Sequence, residues 1–306
     1  MRIFRGLERI PAFKSGTVVA IGNFDGLHLG HKRILRRVTS LARRKNLASL
    51  VLTFDPHPAS SRGTGCVPLI QTLGDRLEGL GKSGIGAAVI LPFTKAFSRL
   101  SGRTFAERVL AGKLKARDVV VGENFRFGFG RRCGIGDLAG FGRDLGFAVH
   151  AVPPVVFRGE TASSSRIRAL IARGAVEEAS GPLGRPYEIT GRVVKGAGRG
   201  TRLGIPTANL LTPNELLPPG VFLTKAGTGT RLFPSVTNIG TAPTFGRGSV
   251  LPETHMLEVR GPRPGRTLRV LFLRKLRNER KFASPEALVR RIRRDIAEAR
   301  KFFRLA

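Results

Sequence analysis

Two histidines three residues apart, His28 and His31, lie in the stretch Gly22-Asn23-Phe24-Asp25-Gly26-Leu27-His28-Leu29-Gly30-His31. Apolar Thr17-Val18-Val19-Ala20-Ile21 precedes it and reads as a buried strand. Lys32 to Lys45 follows, with Ile34, Leu35, Val38 and Leu41 at helical spacing. The order is therefore strand, glycine-rich turn, helix. Glycines let the backbone come close to a ligand. The helix N-terminus offers N–H groups to an anion, and the imidazoles add donors at the same spot. Such a set suits a triphosphate attacked at its α-phosphate, where charge develops on phosphorus and on departing pyrophosphate. The alternative is a pair of ordinary loop histidines. It sits poorly with a chain of five His that places two of them in this one turn.

A second constellation lies towards the C-terminus. Gly196-Ala197-Gly198-Arg199-Gly200-Thr201-Arg202-Leu203-Gly204 leads into Ile205-Pro206-Thr207-Ala208-Asn209-Leu210. The Thr207 hydroxyl and Asn209 carbonyl are hard oxygen donors suited to Mg²⁺. Glu253, in Glu253-Thr254-His255, could take a proton from a substrate hydroxyl beside a metal-bound phosphate. Taken alone, it reads more simply as a solvated strand residue. Ser163-Ser164-Ser165-Arg166-Ile167-Arg168 opens a helix with serine caps and with arginines in its first turn. The macrodipole prefers cations at the other end, so a bound anion accounts for those arginines better than helix stability does. Gly122 to Gly128 ends a core strand in Glu123-Asn124 and then Phe125-Arg126-Phe127, which also reads as a loop anchored by two phenylalanines.

These groups need elements to hold them. Apolar runs at Ser49–Phe54, Gly86–Leu91, Asp118–Val121 and Gly146–Val152 read as strands, and Thr104-Phe105-Ala106-Glu107 as a capping box opening a helix to Leu114. Alternation of strand and helix predicts a doubly wound α/β domain with parallel strands. A boundary is expected near Gly181-Pro182-Leu183-Gly184, which divides the chain into residues 1–182 and 183–306. Beyond it, Tyr187–Val194, Gly220–Thr224, Phe233–Asn238, His255–Val259 and Leu268–Leu273 predict a small antiparallel barrel. Ser284-Pro285-Glu286 starts a closing helix with Leu288, Ile292, Ile296, Ala299 and Phe303 on one stripe.

Composition bounds the reading. The 306 residues suffice for two cores. No apolar run approaches a membrane span, and the N-terminus lacks the long apolar stretch of a signal peptide. Two cysteines, Cys66 and Cys133, make neither a disulfide framework nor a metal site, and fit a reducing cytoplasm. The net charge of +32, from 53 Lys and Arg against 21 Asp and Glu, invites a nucleic-acid reading. However, there is no Trp, only one Tyr and no nucleic-acid-binding signature, and the basic residues are spread along the chain. A basic surface that draws anionic substrates fits better. No specific nucleic-acid partner is expected, while weak polyanion binding and weak self-association remain open.

His28-x-Gly-His31 resembles the HxGH signature of the nucleotidyltransferase superfamily. GNFDGLHLGH, TFDPHP, VGENFRFG and SSSRIR, in this order, resemble the adenylyltransferase module of prokaryotic bifunctional riboflavin kinase/FAD synthetases. GRPY, PTAN, PPGVF, NIG-x-x-PTF and E-x-H resemble the kinase module of the same family. The resemblance covers nearly the whole chain. It implies a Rossmann-like nucleotidyltransferase domain followed by a riboflavin kinase barrel with a C-terminal helix. Such a protein phosphorylates riboflavin to FMN with ATP, then adenylylates FMN to FAD. Implied site residues are His28 and His31 on the ATP phosphates, with nucleotide or flavin contacts at Gly22, Phe24, Asp25, Asn124, Ser164, Ser165 and Arg168. The kinase set is Gly196, Gly198, Gly200 and Arg202 in the loop, Thr207 and Asn209 on Mg²⁺ and ATP, and Glu253 as base. This sequence departs from the family at Thr201, where an Arg is usual, and at Lys195, Phe222 and Leu257-Glu258-Val259. Two alternatives stand beside this reading. One is an FAD synthase with an impaired kinase domain, and the other is a basic nucleic-acid-binding protein on a nucleotidyltransferase scaffold.

Overall fold

The structure is a computed structural model, and it describes residues 1–8, 10–58, 67–196, 198, 200, 203–241, 250–259, 264–280 and 282–305. Arg202 and Cys66, both singled out above, lie outside the described residues. The chain packs as two compact units: 1–68 with 73–163, and 69–72 with 164–306.

The first unit is built on a six-stranded parallel sheet. Its strands are β1 (Arg2–Arg5), β2 (Thr17–Ile21), β3 (Ala48–Phe54), β4 (Ala87–Leu91), β5 (Ala116–Gly122) and β6 (Ala148–Val152), in spatial order β1-β4-β3-β2-β5-β6. The chain builds outward from β2 in both directions, so β2 and β5 flank a topological switch point. In open sheets of this kind, ligands bind at the carboxyl ends of the strands there. Every residue of β2 is buried because both faces are covered. Val18 and Ala20 pack with Leu35, Val38 and Leu41 of α1 (Leu29–Lys45) and Leu77 and Leu80 of α2 (Leu73–Lys82). Val19 and Ile21 pack on the other face with Phe105 to Leu114 and with Leu138 of a helix at Ile135–Leu145.

Two local readings are corrected. The cap at 101–107 belongs to Ser101, whose Oγ accepts from Thr104 N at 3.0 Å, and not to Thr104. Glu107 pairs instead with Arg103, and the helix loosens into a π-helical stretch at Ala106–Lys113. Strand β1 escapes the periodicity argument because an edge strand of four residues, Arg-Ile-Phe-Arg, buries too little to show an apolar run.

The second unit is a closed barrel of β9 (Tyr187–Val194), β10 (Ala208–Leu211), β11 (Gly220–Thr228), β12 (Arg231–Thr241), β13 (Val250–Met256) and β14 (Thr267–Arg277), counting the short hairpin β7 (Val156–Phe157) and β8 (Glu160–Thr161) before them. All its pairings are antiparallel. Ile167, Leu170, Ile171, Val176, Ala179 and Leu183, from helices Ser164–Ala172 and Val176–Leu183, share one core with Tyr187, Phe222, Val270 and Phe272 of the barrel. The closing helix, Pro285–Phe303, is capped by Ser284 with Pro at its start, as expected, and buries Ala299 against Val221 and Leu223.

Asp118, fully buried at the start of β5, is the main polar commitment of the first unit. Lys45 Nζ donates to both its oxygens at 2.7 and 2.8 Å, and His150 Nε2 lies 2.7 Å from one of them. Burial alone would push its carboxyl up, but the hydrogen bonds from Lys45 and His150 hold it below the ordinary carboxylate range. A depressed carboxyl contributes stability above its unfolded value near pH 4, and loses it as pH falls through the folded value. Asp118→Asn is therefore expected to cost about 1–3 kcal/mol at pH 7. In thermal melts across pH, its gap to the wild type should close on acidification below about pH 4.

Candidate active sites

In the first unit, the histidine turn occupies the carboxyl end of β2. His28 is the N-cap of α1: its Nδ1 accepts from Gly30 N at 3.1 Å and His31 N at 3.4 Å. An imidazole thus does what a Ser or Asp side chain usually does at this position. A neutral His28 with Nδ1 as acceptor must carry its proton on Nε2, so the ring is oriented as a donor at that nitrogen. A Cβ at residue 30 would press on the His28 ring at 3.0 Å, which is why Gly30 stands between the two histidines. The His31 ring stacks on His28 with centroids 3.7 Å apart, and Phe24 leans on His31 at 5.2 Å. Phe24 and Leu27 adopt left-handed backbone angles, φ 52° and 45°, which are strained for such side chains. Burial of both in the core holds them there.

Neighbouring elements brace this turn. The Asn23 carbonyl accepts from Thr53 Oγ1 at 3.2 Å and from Arg76 at 2.7 Å, while Asn23 Nδ2 lies 2.8 Å from His57 Nε2. Arg76, on α2, is almost wholly buried. Burial lowers its guanidinium pKa, and Asp25 and Asp55 oppose that shift. Asp25 is itself buried, so one guanidinium and two carboxylates interact beneath the turn. Gly22 continues β2, donating to Leu52 O at 3.1 Å. Asn124 is exposed just past β5, on the adjacent parallel strand and at the same end of the sheet. Its loop is anchored by Phe127, which is buried, stacks on Phe125 at 5.5 Å and meets Phe105 at 5.9 Å. Gly22, Phe24, Asp25, His28 and His31 thus lie in one turn, and Asn124 follows the neighbouring strand at the same end of the sheet. Ser164, Ser165 and Arg168 begin the second unit, on the first turns of the helix Ser164–Ala172. His57 lies in the TFDPHP motif, whereas Arg76 is not signalled by the sequence. Arg76 sits in an ordinary amphipathic helix, and only the fold brings it beneath residue 23.

In the second unit, strand register does the assembling. Asn209 on β10 is opposite Glu253 on β13, which is opposite Asn238 on β12. Directly opposed residues bring their side chains within about 5 Å of one another on the same face. All three are half-buried, while Thr237 and Thr254 between them point into a buried hydroxyl chain with Thr224 and Ser235. Two residues beyond Glu253, on the same face, His255 Nδ1 donates to the Pro206 carbonyl at 2.8 Å and ties the strand to the Thr207 loop. The glycine loop closes around the same residues. A Cβ on Gly196 would collide with the Asn209 amide, and one on Gly200 would sit 3.2 Å from Thr207 Oγ1. Gly198 is exposed with φ +69°, a conformation open to glycine. Thr207 and Asn209 supply only hard oxygens, and no group of three His, Cys, Asp or Glu exists among the described residues. Such a donor set fits Mg²⁺, which keeps several waters and takes substrate phosphates as ligands.

Comparison with known proteins identifies both halves. A family model described as FAD synthetase matches residues 10–166, and one described as riboflavin kinase matches residues 183–303. The bifunctional riboflavin kinase/FMN adenylyltransferase of Escherichia coli K12 is 34% identical over 100% of this chain and 99% of its own. The enzyme of the same description from Pseudomonas fluorescens is 35% identical over 98% and 97%. The crystal structure of a macrolide-efflux protein from Streptococcus pneumoniae superposes with a TM-score of 0.89 at 27% identity, covering 98% of this chain and 99% of that one. Among the described residues, no helix is long and apolar enough to cross a membrane.

The cap gives a direct test of how the first site is built. His28→Ala should destabilise the first unit by about 1 kcal/mol, whereas His28→Asn, whose side-chain oxygen can cap, should recover most of that loss. Thermal melts of the two variants beside the wild type measure the difference.

Proposed function

This chain belongs to the family of bifunctional riboflavin kinase/FMN adenylyltransferases, and on that premise we propose that it makes FAD from riboflavin in two steps at two separate sites. The observation that carries the reading is the segregation of its chemistry. His28 and His31 belong to one compact unit, and Thr207, Asn209 and Glu253 to the other. We assign phosphorylation to residues 183–306 and adenylylation to residues 1–182.

In the first step, Glu253 takes the proton of the ribityl 5′-hydroxyl as that oxygen attacks the γ-phosphorus of ATP, and ADP leaves. Asn209 and Thr207 orient the phosphates from the glycine loop of Gly196, Gly198, Gly200 and Arg202, and His255 keeps the Thr207 segment in place. Mg²⁺, held by Thr207 and Asn209, would supply neutralisation of phosphate charge. In the second step, a phosphate oxygen of FMN attacks the α-phosphorus of another ATP and pyrophosphate departs. His28, donating from Nε2, and His31 meet the charge that develops. Asn124, Ser164, Ser165 and Arg168 contact nucleotide or flavin. Gly22, Phe24 and Asp25 contribute through the main chain, since the side chains of the last two are buried. Little covalent chemistry is asked of the protein, so positioning and electrostatics carry both steps. The protein acts in the cytoplasm, where ATP and riboflavin meet it.

The two sites should fail independently. Incubation with riboflavin, ATP and Mg²⁺, with FMN and FAD resolved chromatographically, tests this. His31→Ala is expected to lower FAD formation by about a hundredfold or more while FMN still accumulates. Glu253→Gln should lower FMN formation by roughly a hundred- to ten-thousandfold and leave conversion of supplied FMN intact. A folded variant of either kind that lost both activities would contradict the two-site division. Thr207→Ala should slow the kinase step in a way that added Mg²⁺ partly restores, whereas added Mg²⁺ should not restore Glu253→Gln.

A further inference from the structure

Helix α1 presents a surface that neither reaction uses. Arg33, Arg36, Arg37, Arg43 and Arg44 are all exposed. At 100° per residue they fall within an arc of about 120°, interrupted only by Ser40. The opposite side, Leu35, Val38, Leu41 and Ala42, is buried. The helix contains no acidic residue. Among the described residues none of the five guanidiniums meets a carboxylate, and Arg36 Nε only donates back to Lys32 O at 3.4 Å. Lys45, at the end of the helix, is committed to a carboxylate, Asp118.

Arg43 and Arg44, in the last turn, complement the macrodipole, but helix stability does not account for Arg33, Arg36 and Arg37. Lys32 with Arg36, and Arg33 with Arg36 and Arg37, are like charges at i,i+3 and i,i+4 spacing, which destabilise a helix. The closing helix Pro285–Phe303 is also basic, but it interleaves Glu286, Asp295 and Glu298, and its Arg291 pairs with Asp295 at 2.9 Å. Substrate capture does not require it either. Arg43 and Arg44 lie in the last turn of α1, at the far end from the histidines.

We propose that this arginine face of α1 binds the phosphate backbone of nucleic acid without regard to sequence. Each phosphate neutralised by an arginine releases condensed counterions. The five charges extend over about 16 Å of helix axis, which corresponds to about five base-pair steps. Between Arg33 and Arg44 Ser40 is the only other side chain in the arc, and half-buried Leu29 precedes them on the same side, so the face holds no aromatic ring to stack on bases and no exposed apolar group to enter a bilayer.

Fluorescence anisotropy with labelled 30-nucleotide RNA and 30-base-pair DNA of mixed sequence, titrated between 50 and 200 mM salt, tests the assignment. The quadruple variant Arg36→Gln, Arg37→Gln, Arg43→Gln, Arg44→Gln should bind at least about tenfold more weakly at 50 mM salt, with a log–log salt slope shallower by about 2–4. The four Arg→Lys replacements keep the charge and should retain affinity within about threefold, which separates lost charge from lost fold. A control variant, Arg108→Gln, Lys113→Gln, Lys225→Gln, Arg293→Gln, removes the same net charge from scattered exposed positions and should also stay within about threefold of the wild type. Equal losses in the α1 and control variants would reduce the effect to net charge and overturn the site. So would a wild type that fails to bind either probe at 50 mM salt. The assignment also falls if the α1 variant loses binding to phosphatidylglycerol vesicles but not to RNA or DNA.

Discussion

The first turn of α1 leaves backbone N–H groups that no carbonyl of the helix can reach, and the carboxyl end of β2 is organised around how they are used. His28 Nδ1 takes two of them. That single contact sets the tautomer of the ring, requires a residue without a Cβ at position 30, and brings His31 against His28 as a stacked partner. The strained conformations of Phe24 and Leu27 are what aim His28 back at the helix it caps, and the core that buries these two side chains holds the strain in place. An anion arriving here meets donors already oriented, so little reorganisation is needed when charge develops.

The second unit solves a similar problem with a different element. A barrel has no free helix end facing its site, so position comes from register. Asn209, Glu253 and Asn238 share one row because three strands pair in a fixed alignment, and a slip of one residue in β13 would exchange Glu253 for buried Thr254. The hydroxyl chain through Thr224, Ser235, Thr237 and Thr254 makes such a slip costly, since buried polar atoms would lose their partners. His255 then carries the alignment over to the Thr207 loop through its bond to Pro206.

Buried charge is used sparingly for a chain of +32. Asp118 gathers Lys45 and His150 near the amino end of the sheet, and the charge of Arg76 is set against those of Asp25 and Asp55 beneath the histidine turn. Most of the remaining surplus faces solvent, where it costs little stability at physiological salt and strengthens long-range attraction for anions.

The local order of the chain determined much of this by itself. The strand–turn–helix around His28, the parallel strands, the change of period after Gly184 and the Ser284 cap all follow from apolar spacing and from capping and turn residues, because those signals act over a few residues. Glu253 was different: from its neighbours alone it reads as a solvated strand residue, and only its resemblance to a family marked it. Its place beside Asn209 and Asn238 was decided by barrel closure, which pairs residues 44 and 15 positions apart. Arg76 gave no local sign because an arginine in an amphipathic helix is usually solvated. Its burial comes from the packing of α2 over residue 23, with Asp25 and Asp55 brought close by two other elements. The N-cap role of His28 was hidden for a related reason. Its residue type is not a common cap, and only the left-handed turn at Leu27 brings its Nδ1 onto the N–H groups of Gly30 and His31.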